Sequence, residues 1–87
     1  MAYTVRLANE AAKYLSRLDR PTRDRIDTRL GELENDPYRY RTKPLSNAAG
    51  QRSSRVGTYR IVYTVDESLG IVEVSRILPR GRAYRRL

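Results

Sequence analysis

Residues 51–79 read QRSSRVGTYRIVYTVDESLGIVEVSRILP, and this stretch determines the fold class. Its period-two alternation and β-branched residues are typical of strands with one buried face. The pattern predicts three strands, namely Gln51 to Val56, a longer strand from Tyr59, and Ile71 to Leu78. Gly57-Thr58 turns the chain after the first strand, and Asp66 to Gly70 is a hairpin loop. Pro79 ends the last strand because proline has no N–H to donate to a ladder.

The longer strand has two chemically different faces. One face is apolar and carries Tyr59, Ile61, Tyr63 and Val65. The other face carries Arg60, at a position where strand propensity favours valine or isoleucine. Burial of an unpaired guanidinium is very costly, so Arg60 must either be paired or face a groove. The acids that could pair with it are Asp66, Glu67 and Glu73.

The N-terminal part predicts a strand and then a helix. Tyr3, Val5 and Leu7 alternate with polar residues, which indicates a strand with one buried face. Asn9 is expected to cap the following helix, with Glu10 in its first turn. Apolar residues at helical spacing then form a short stripe, made of Ala11, Tyr14, Leu15 and Leu18.

A second helix follows, and Pro21 suits its first turn. Its apolar stripe consists of Ile26, Leu30 and Leu33. The charged residues of both helices are interleaved in sign, which is typical of a solvated face without a function. Asn35-Asp36-Pro37 ends the second helix, and residues 37–50 are expected to form a polar connector.

The predicted element order is therefore β-α-α-β-β-β. We expect one α+β domain over residues 1–87, with a helical hairpin packed on a small, mostly antiparallel sheet. Neither side of the connector is large enough to fold alone. The connector is therefore not expected to be a domain boundary.

The composition restricts the chemistry. The 87 residues carry 18 Lys+Arg against 10 Asp+Glu, for a formal net charge of +8, and contain neither cysteine nor histidine. This excludes disulfides, thiolate or imidazole zinc sites, and catalysis by Cys or His. A basic chain attracts polyanions, so nucleic acid is the leading partner class and an acidic protein the second. Without a signal-peptide pattern or an apolar run of roughly 20 residues, we expect a soluble cytoplasmic protein with no membrane contact.

Arginine and tyrosine alone still permit one reaction on RNA. RNA carries its own nucleophile, the 2′-OH, so cleavage needs in-line positioning, neutralisation of phosphate charge and a proton acceptor and donor. The arginine fork matches the non-bridging phosphate oxygens, and a tyrosine surrounded by cations can transfer a proton. Two-metal catalysis is not expected, because the C-terminal half has few acids.

Three motifs in order give the chain a family resemblance. They are Lys43-Pro44-Leu45, the run from Ser53 to Tyr63 that contains Arg55-Val56-Gly57 and Tyr59-Arg60, and the run from Arg80 to Arg85. Together they resemble the RelE/ParE toxin superfamily, whose members show K-P-L, R-V-G-x-Y-R-[VIL]-x-Y and H-R-x-x-[VI]-Y-R. The resemblance covers essentially the whole chain, and the RelE-like fold that it implies agrees with the predicted element order.

The resemblance implies a toxin of a type II toxin–antitoxin system that cuts mRNA on the ribosome, without metal or cofactor, through the RNA 2′-OH. By position, Arg60 resembles the strand arginine that stabilises the transition-state phosphate, and Arg80 the arginine that follows the last strand. Tyr84 resembles the terminal tyrosine that stacks on a base or transfers a proton, and Arg55 is expected to support phosphate binding. Further RNA contacts are expected from Arg52, Arg82, Arg85 and Lys43.

The chain departs from this pattern at Gln51 and Ser53, where some RelE-type nucleases have lysines. The identity of the general base is therefore open. A ParE-like inhibitor of DNA gyrase and a non-catalytic RNA-binding module are the alternatives. Besides the ribosome and mRNA, the expected partner is a cognate antitoxin with an acidic helical segment, and DNA is expected to be contacted only through the antitoxin complex.

Overall fold

Two helices cover one face of a five-stranded sheet in the computed structural model, which describes residues 3–45 and 50–79. The elements in chain order are β1 (Thr4–Leu7), α1 (Asn9–Ser16), α2 (Arg20–Asn35), β2 (Thr42–Pro44), β3 (Gln51–Val56), β4 (Tyr59–Asp66) and β5 (Ile71–Pro79). The α+β class, the helical hairpin and the three C-terminal strands confirm the sequence prediction. In this part of the chain, no helix is long and apolar enough to cross a membrane.

The strands lie in the order β1-β5-β4-β3-β2. Three neighbouring pairs are antiparallel, whereas β1 runs parallel to β5, with Thr4 beside Ile71. The sheet is therefore mostly antiparallel, as predicted. The first and last strands in sequence are therefore neighbours at one edge of the sheet, where β1 is the outer strand.

The prediction of a purely polar connector over residues 37–50 is wrong at β2, a three-residue strand along the edge of the sheet. Lys43 of β2 pairs with Ser53 of β3. A strand of sequence TKP shows no apolar alternation, and its proline is tolerated because it lies at a sheet edge. The observed order is therefore β-α-α-β-β-β-β.

The hydrophobic core lies between the helices and the sheet. Its buried members are Ala11, Leu15, Ile26, Leu30, Leu33, Val56, Ile61, Tyr63, Val72, Val74 and Ile77. The predicted stripe of α2 is confirmed, since all three of its residues are in this set. Tyr63 is fully buried, and its hydroxyl donates to the carbonyl oxygen of Pro37 at 2.6 Å. This bond ties the core to the segment that follows α2.

The two helices begin differently. The prediction that Asn9 caps α1 is wrong, because Ala8 is the N-cap and Asn9 is already helical. The N–H of Ala8 donates to the carbonyl of Val74 at 2.9 Å, so the end of β1 is held on β5 immediately before the helix starts. In α2 the side chain of Asp19 accepts from the N–H of Thr22 at 3.3 Å, and Pro21 lies in the first turn as predicted.

Glu67, in the turn between β4 and β5, holds two distant segments of the chain. Its carboxylate accepts hydrogen bonds from the phenols of Tyr3 and Tyr38. The guanidinium of Arg52 lies 5.0 Å from the centre of the Tyr38 ring. The hydrogen bond to the Glu67 carboxylate raises the pKa of Tyr38 to about 12.

We expect the Glu67→Gln substitution to lower the pKa of Tyr38 toward its ordinary value. The raised pKa means that the folded chain holds this proton more tightly, so the contribution to stability is fully present below pH 10 and is lost as the pH rises through about 12. An ultraviolet titration of the phenolates measures the effect, and Tyr38→Phe identifies the late-titrating group. Glu73→Gln makes the same charge change elsewhere in the hairpin, and an equal shift in that variant would contradict the assignment.

Candidate functional site

The sheet face opposite the helices, which we call the open face, carries two arginines directly beside each other. Arg55 of β3 and Arg60 of β4 are register partners. Neighbouring Ile61 is buried in the helix-side core, so strand alternation places Arg60 on the open face together with Arg55. Directly opposed residues have Cβ atoms about 4.5–5.5 Å apart, and like charges in such positions destabilise a sheet. An anion bound between the two guanidiniums removes this repulsion.

Two more cations share the open face. Lys43 is the register partner of Ser53, and Val62 pairs with Arg76, so strand alternation puts Lys43 and Arg76 on the same side as Arg60. Both side chains are exposed. The positive charges therefore extend across four strands of the sheet.

The acids that the sequence offered as partners of Arg60 lie toward the opposite end of the β4–β5 hairpin. Glu73 is the register partner of Thr64, four residues from Arg60 and so about 13 Å away along the strand. Glu73 forms an ion pair with Arg6 at 3.5 Å. Asp66 accepts from the Ser68 hydroxyl at 2.8 Å, which lowers the pKa of the Asp66 carboxyl. Both carboxylates thus have partners of their own at that end of the hairpin.

The structure brings together only part of the predicted site. Lys43, Arg55 and Arg60 share the open face, whereas Arg52 lies on the helix side of the sheet, opposite Tyr63. One Arg52 nitrogen donates to the Thr42 hydroxyl at 2.9 Å, and its guanidinium lies over Tyr38. The predictions for Arg80, Arg82, Tyr84 and Arg85 fall outside the described residues.

Gln51 and Ser53 also lie on the open face, since they alternate with Arg55 along β3. Ser53 is buried and Gln51 is half-buried. Their neutral side chains can donate hydrogen bonds but do not ionise near neutral pH. In the described part of the chain, the open face around Arg55 and Arg60 therefore carries cations and neutral polar groups. Its carboxylate, Glu73, lies about 13 Å away along the strand and is paired with Arg6.

A second basic feature, which we call the α2–β3 cleft, lies beside the open face. It has a volume of about 500 Å³, and four arginines line it, namely Arg25, Arg29, Arg41 and Arg55. Its remaining walls come from Thr28, Glu32, Val56 and Gly57. The cleft is not evident in the sequence, because its residues come from α2, the position before β2, the end of β3 and the turn that follows β3.

Arg29 fixes the floor of the cleft. Its Nε donates to Glu32 at 2.8 Å, and one Nη donates to the Ser54 hydroxyl at 2.9 Å and to the carbonyl of Arg55 at 2.6 Å. The side chain of Arg29 is only 16% exposed. The prediction that the charges of α2 form a solvated face is therefore wrong at this residue, which is largely buried and binds β3.

We expect Arg29→Ala to lower the free energy of unfolding by about 1–3 kcal/mol, because the Arg55 carbonyl loses this donor and the Ser54 hydroxyl keeps only its bond to the Tyr40 carbonyl. Urea denaturation followed by circular dichroism measures this. Arg20→Ala, an exposed position at the start of α2, is the matched control and should change stability little. Equal stability of Arg29→Ala and the wild type would contradict the structural role of Arg29.

Comparison with known proteins agrees with this architecture. The family model for the ParE toxin of the parDE type II toxin–antitoxin system matches residues 5–84. Toxin RelG of Mycobacterium tuberculosis is 36% identical over 88 residues, covering 99% of this chain and all of that protein. Toxin RelE of the same organism is 36% identical over 85 residues, covering 95% of this chain and 87% of that protein.

Solved structures show the same fold. The RelBE2 toxin–antitoxin complex of M. tuberculosis contains a chain that matches with a TM-score of 0.83 and 33% identity, covering 92% of this chain and 100% of that one. The isolated RelE toxin of Escherichia coli matches with a TM-score of 0.80, covers 98% of each chain and, at 20% identity, supports the fold alone. The resemblance predicted from the three motifs is confirmed. The chain belongs to the RelE/ParE superfamily of toxins from type II toxin–antitoxin systems.

Proposed function

We propose that this toxin is a ribosome-dependent endonuclease that cuts mRNA through the RNA 2′-OH, without a metal, and so inhibits translation. The observation that carries the proposal is the Arg55–Arg60 register pair on the open face of the sheet. Two opposed guanidiniums form a binding site for a phosphate with two non-bridging oxygens. Among the described residues, no cluster of acidic side chains could hold a metal ion. Among the described residues, arginine side chains are therefore proposed to neutralise the charge of the RNA phosphate.

The proposed reaction is an internal transfer. The 2′-oxygen loses its proton and attacks the adjacent phosphorus in line, forming a 2′,3′-cyclic phosphate. The bond from phosphorus to the 5′-oxygen breaks, and that oxygen leaves with a proton. Arg60 and Arg55 stabilise the negative charge that builds up on the phosphorane oxygens, which is the largest single contribution in reactions of this kind.

Proton transfer requires groups besides these two arginines. By family position, Arg80 and Tyr84 are proposed to complete the site, with Tyr84 as the proton-transfer or base-stacking residue. To work near neutral pH, the phenol pKa would have to fall from about 10 to about 7, which corresponds to roughly 4 kcal/mol of favourable interaction with nearby cations. Lys43, Arg52, Arg82 and Arg85 are proposed to contact the backbone of mRNA or ribosomal RNA.

Primer extension on translated mRNA after induction of the toxin tests the proposal. Cuts in phase with codons are expected in the wild type and should be lost in an Arg60→Ala, Arg80→Ala double variant. Intact mRNA during growth arrest by the wild type would overturn the proposal.

We further propose a cognate antitoxin as the partner of this chain. The solved relatives from M. tuberculosis and E. coli include RelBE toxin–antitoxin complexes. The net charge of +8 favours an acidic helical segment that covers the basic face and is expected to mediate any contact with DNA. Co-expression of the antitoxin should restore growth, and restoration should weaken when its acidic residues are neutralised.

Inhibition of DNA gyrase is the second candidate function, because the matching family model describes ParE toxins. A supercoiling assay with purified gyrase and relaxed plasmid separates the two. An active gyrase inhibitor would block supercoiling and leave mRNA intact, whereas the nuclease proposed above would do the reverse.

A further inference from the structure

We propose that the α2–β3 cleft binds a phosphodiester group of an RNA strand and is a second anion site next to the Arg55–Arg60 pair. The proposal deepens the nuclease function above and depends on it for the identity of the ligand. The cleft itself is defined by geometry and charge independently of that function.

The charge of the cleft is strongly positive. Glu32 is the one acid among its lining residues, and it is bonded to Arg29. The structure records no ion pair of Arg25, Arg41 or Arg55 with any carboxylate in residues 3–45 or 50–79. All three side chains are exposed. Arg55 contributes the carbonyl that Arg29 binds, while its side chain lies on the open face. The side chains of Arg25 and Arg41 therefore remain for one anion in a space of about 500 Å³.

The cleft is also held rigidly. Arg29 joins α2 to β3 through the Ser54 hydroxyl and the Arg55 carbonyl, which fixes the separation of the two walls. At the hairpin end, Arg25 packs over Gly57, where an added Cβ would lie 3.5 Å from an Nη of Arg25. Gly57 also has a φ of +58°, which a residue with a side chain rarely adopts. The positive φ therefore favours glycine at this turn, while a Cβ there would only reach ordinary contact with the Arg25 guanidinium.

Arg41 provides a third observation that points to a ligand site. Its φ of +49° is in the left-handed region, which arginine rarely occupies. Such backbone strain persists only where the surrounding structure enforces it, and it is concentrated at binding and catalytic sites. Here the carbonyl of Arg41 accepts the N–H of Arg55 at 3.1 Å, which holds Arg41 beside the cleft.

Continuity with the open face favours RNA over an acidic peptide. Arg55 lines the cleft and is also the register partner of Arg60. An RNA strand with one phosphate at Arg60 would have to pass around Arg55, at the end of β3, to place its next phosphates in the cleft. The planar arginine fork binds phosphate oxygens in pairs, and several forks in one space suit a phosphodiester.

The test compares two double variants of the full chain. Arg25→Gln with Arg41→Asn removes both charges, and asparagine tolerates the left-handed backbone at position 41. Arg25→Lys with Arg41→Lys keeps the charges and is the matched control. The probes are a short single-stranded RNA protected by 2′-O-methyl groups, purified ribosomes, and a poly-glutamate peptide. Melting curves verify that each variant is folded.

For the neutral variant we expect RNA affinity to fall roughly tenfold, since hydrogen bonds to a charged group are lost. The slope of log K against log salt should become less negative by about 0.7 if one phosphate is released. The lysine variant should keep the slope. A loss of ribosome affinity with unchanged binding of the short RNA would also support the proposal and would assign the phosphodiester to ribosomal RNA.

The proposal is overturned if the neutral variant binds both the short RNA and the ribosome as the wild type does. It is equally overturned if the cleft affects only poly-glutamate binding, which would assign it to an acidic protein partner. Cleavage assays separate this result from the nuclease proposal. A wild type that cuts no mRNA but needs the cleft for RNA affinity would contradict the nuclease function and leave the cleft assignment intact.

Discussion

Replacing Arg60 by alanine is expected to lower the rate of mRNA cleavage by about 10²–10³-fold, the usual effect of removing one group that stabilises transition-state charge. Arg60 lies on the open face beside Arg55, and the proposed nuclease function assigns it the phosphate whose bond would break. Single-turnover cleavage on programmed ribosomes measures the rate, and binding of an uncleavable mRNA measures affinity separately. Because the lost interaction is strongest in the transition state, the rate should fall much more than the affinity.

Two variants make this result specific. Arg60→Lys keeps the charge but loses the planar fork, so its rate should lie between those of the wild type and Arg60→Ala. Arg20→Ala removes the same charge from the exposed start of α2 and should cleave at the wild-type rate. Cleavage by Arg60→Ala that equals the control would remove Arg60 from the catalytic residues.

The largest effect on stability is expected from Tyr63→Ala, at about 3–5 kcal/mol, as for other large-to-small changes of buried aromatic residues. Tyr63 is fully buried at the centre of the core, and its removal leaves a cavity and an unpaired Pro37 carbonyl. A domain of this size has roughly 4–13 kcal/mol of net stability, so the variant would lose a large part of it. Urea denaturation measures the loss, and expression with low recovery of folded protein would accompany it.

Tyr63→Phe separates the two contributions. It fills the same space but gives up the 2.6 Å hydrogen bond to Pro37, so a smaller loss of about 1–3 kcal/mol is expected. If Tyr63→Phe were as unstable as Tyr63→Ala, the hydrogen bond rather than packing would dominate. Wild-type stability in both variants would contradict the burial of this side chain.

The fold could be predicted wherever the chain has a clear apolar period. β4 and β5 alternate, the stripe of α2 repeats at helical spacing, and these elements lie where the sequence placed them. The edge strand β2 could not be found, because its exposed three-residue segment has no apolar face to bury. The start of α1 depended on a tertiary contact, the bond from Ala8 to Val74, which outweighs the capping preference of Asn9.

The candidate site was only partly predictable, for a related reason. β3 has one apolar residue, Val56, so its own sequence does not show which face Arg52 and Arg55 take. Pairing with β4 decides this and puts Arg52 on the helix side. The α2–β3 cleft is still harder to predict from the sequence. Its residues Arg25, Arg41 and Gly57 become neighbours only when α2 packs against the sheet.

The parallel pairing of β1 with β5 has a consequence for biosynthesis. Thr4 pairs with Ile71, which is far from it in sequence. Such long-range pairing raises the contact order, and a high contact order slows folding. A nascent polypeptide therefore cannot pair β1 with β5 until residues 71–74 have been synthesised. During that interval the backbone N–H and C=O groups on one side of β1 await their β5 partners and are open to pairing with an extended segment of another chain.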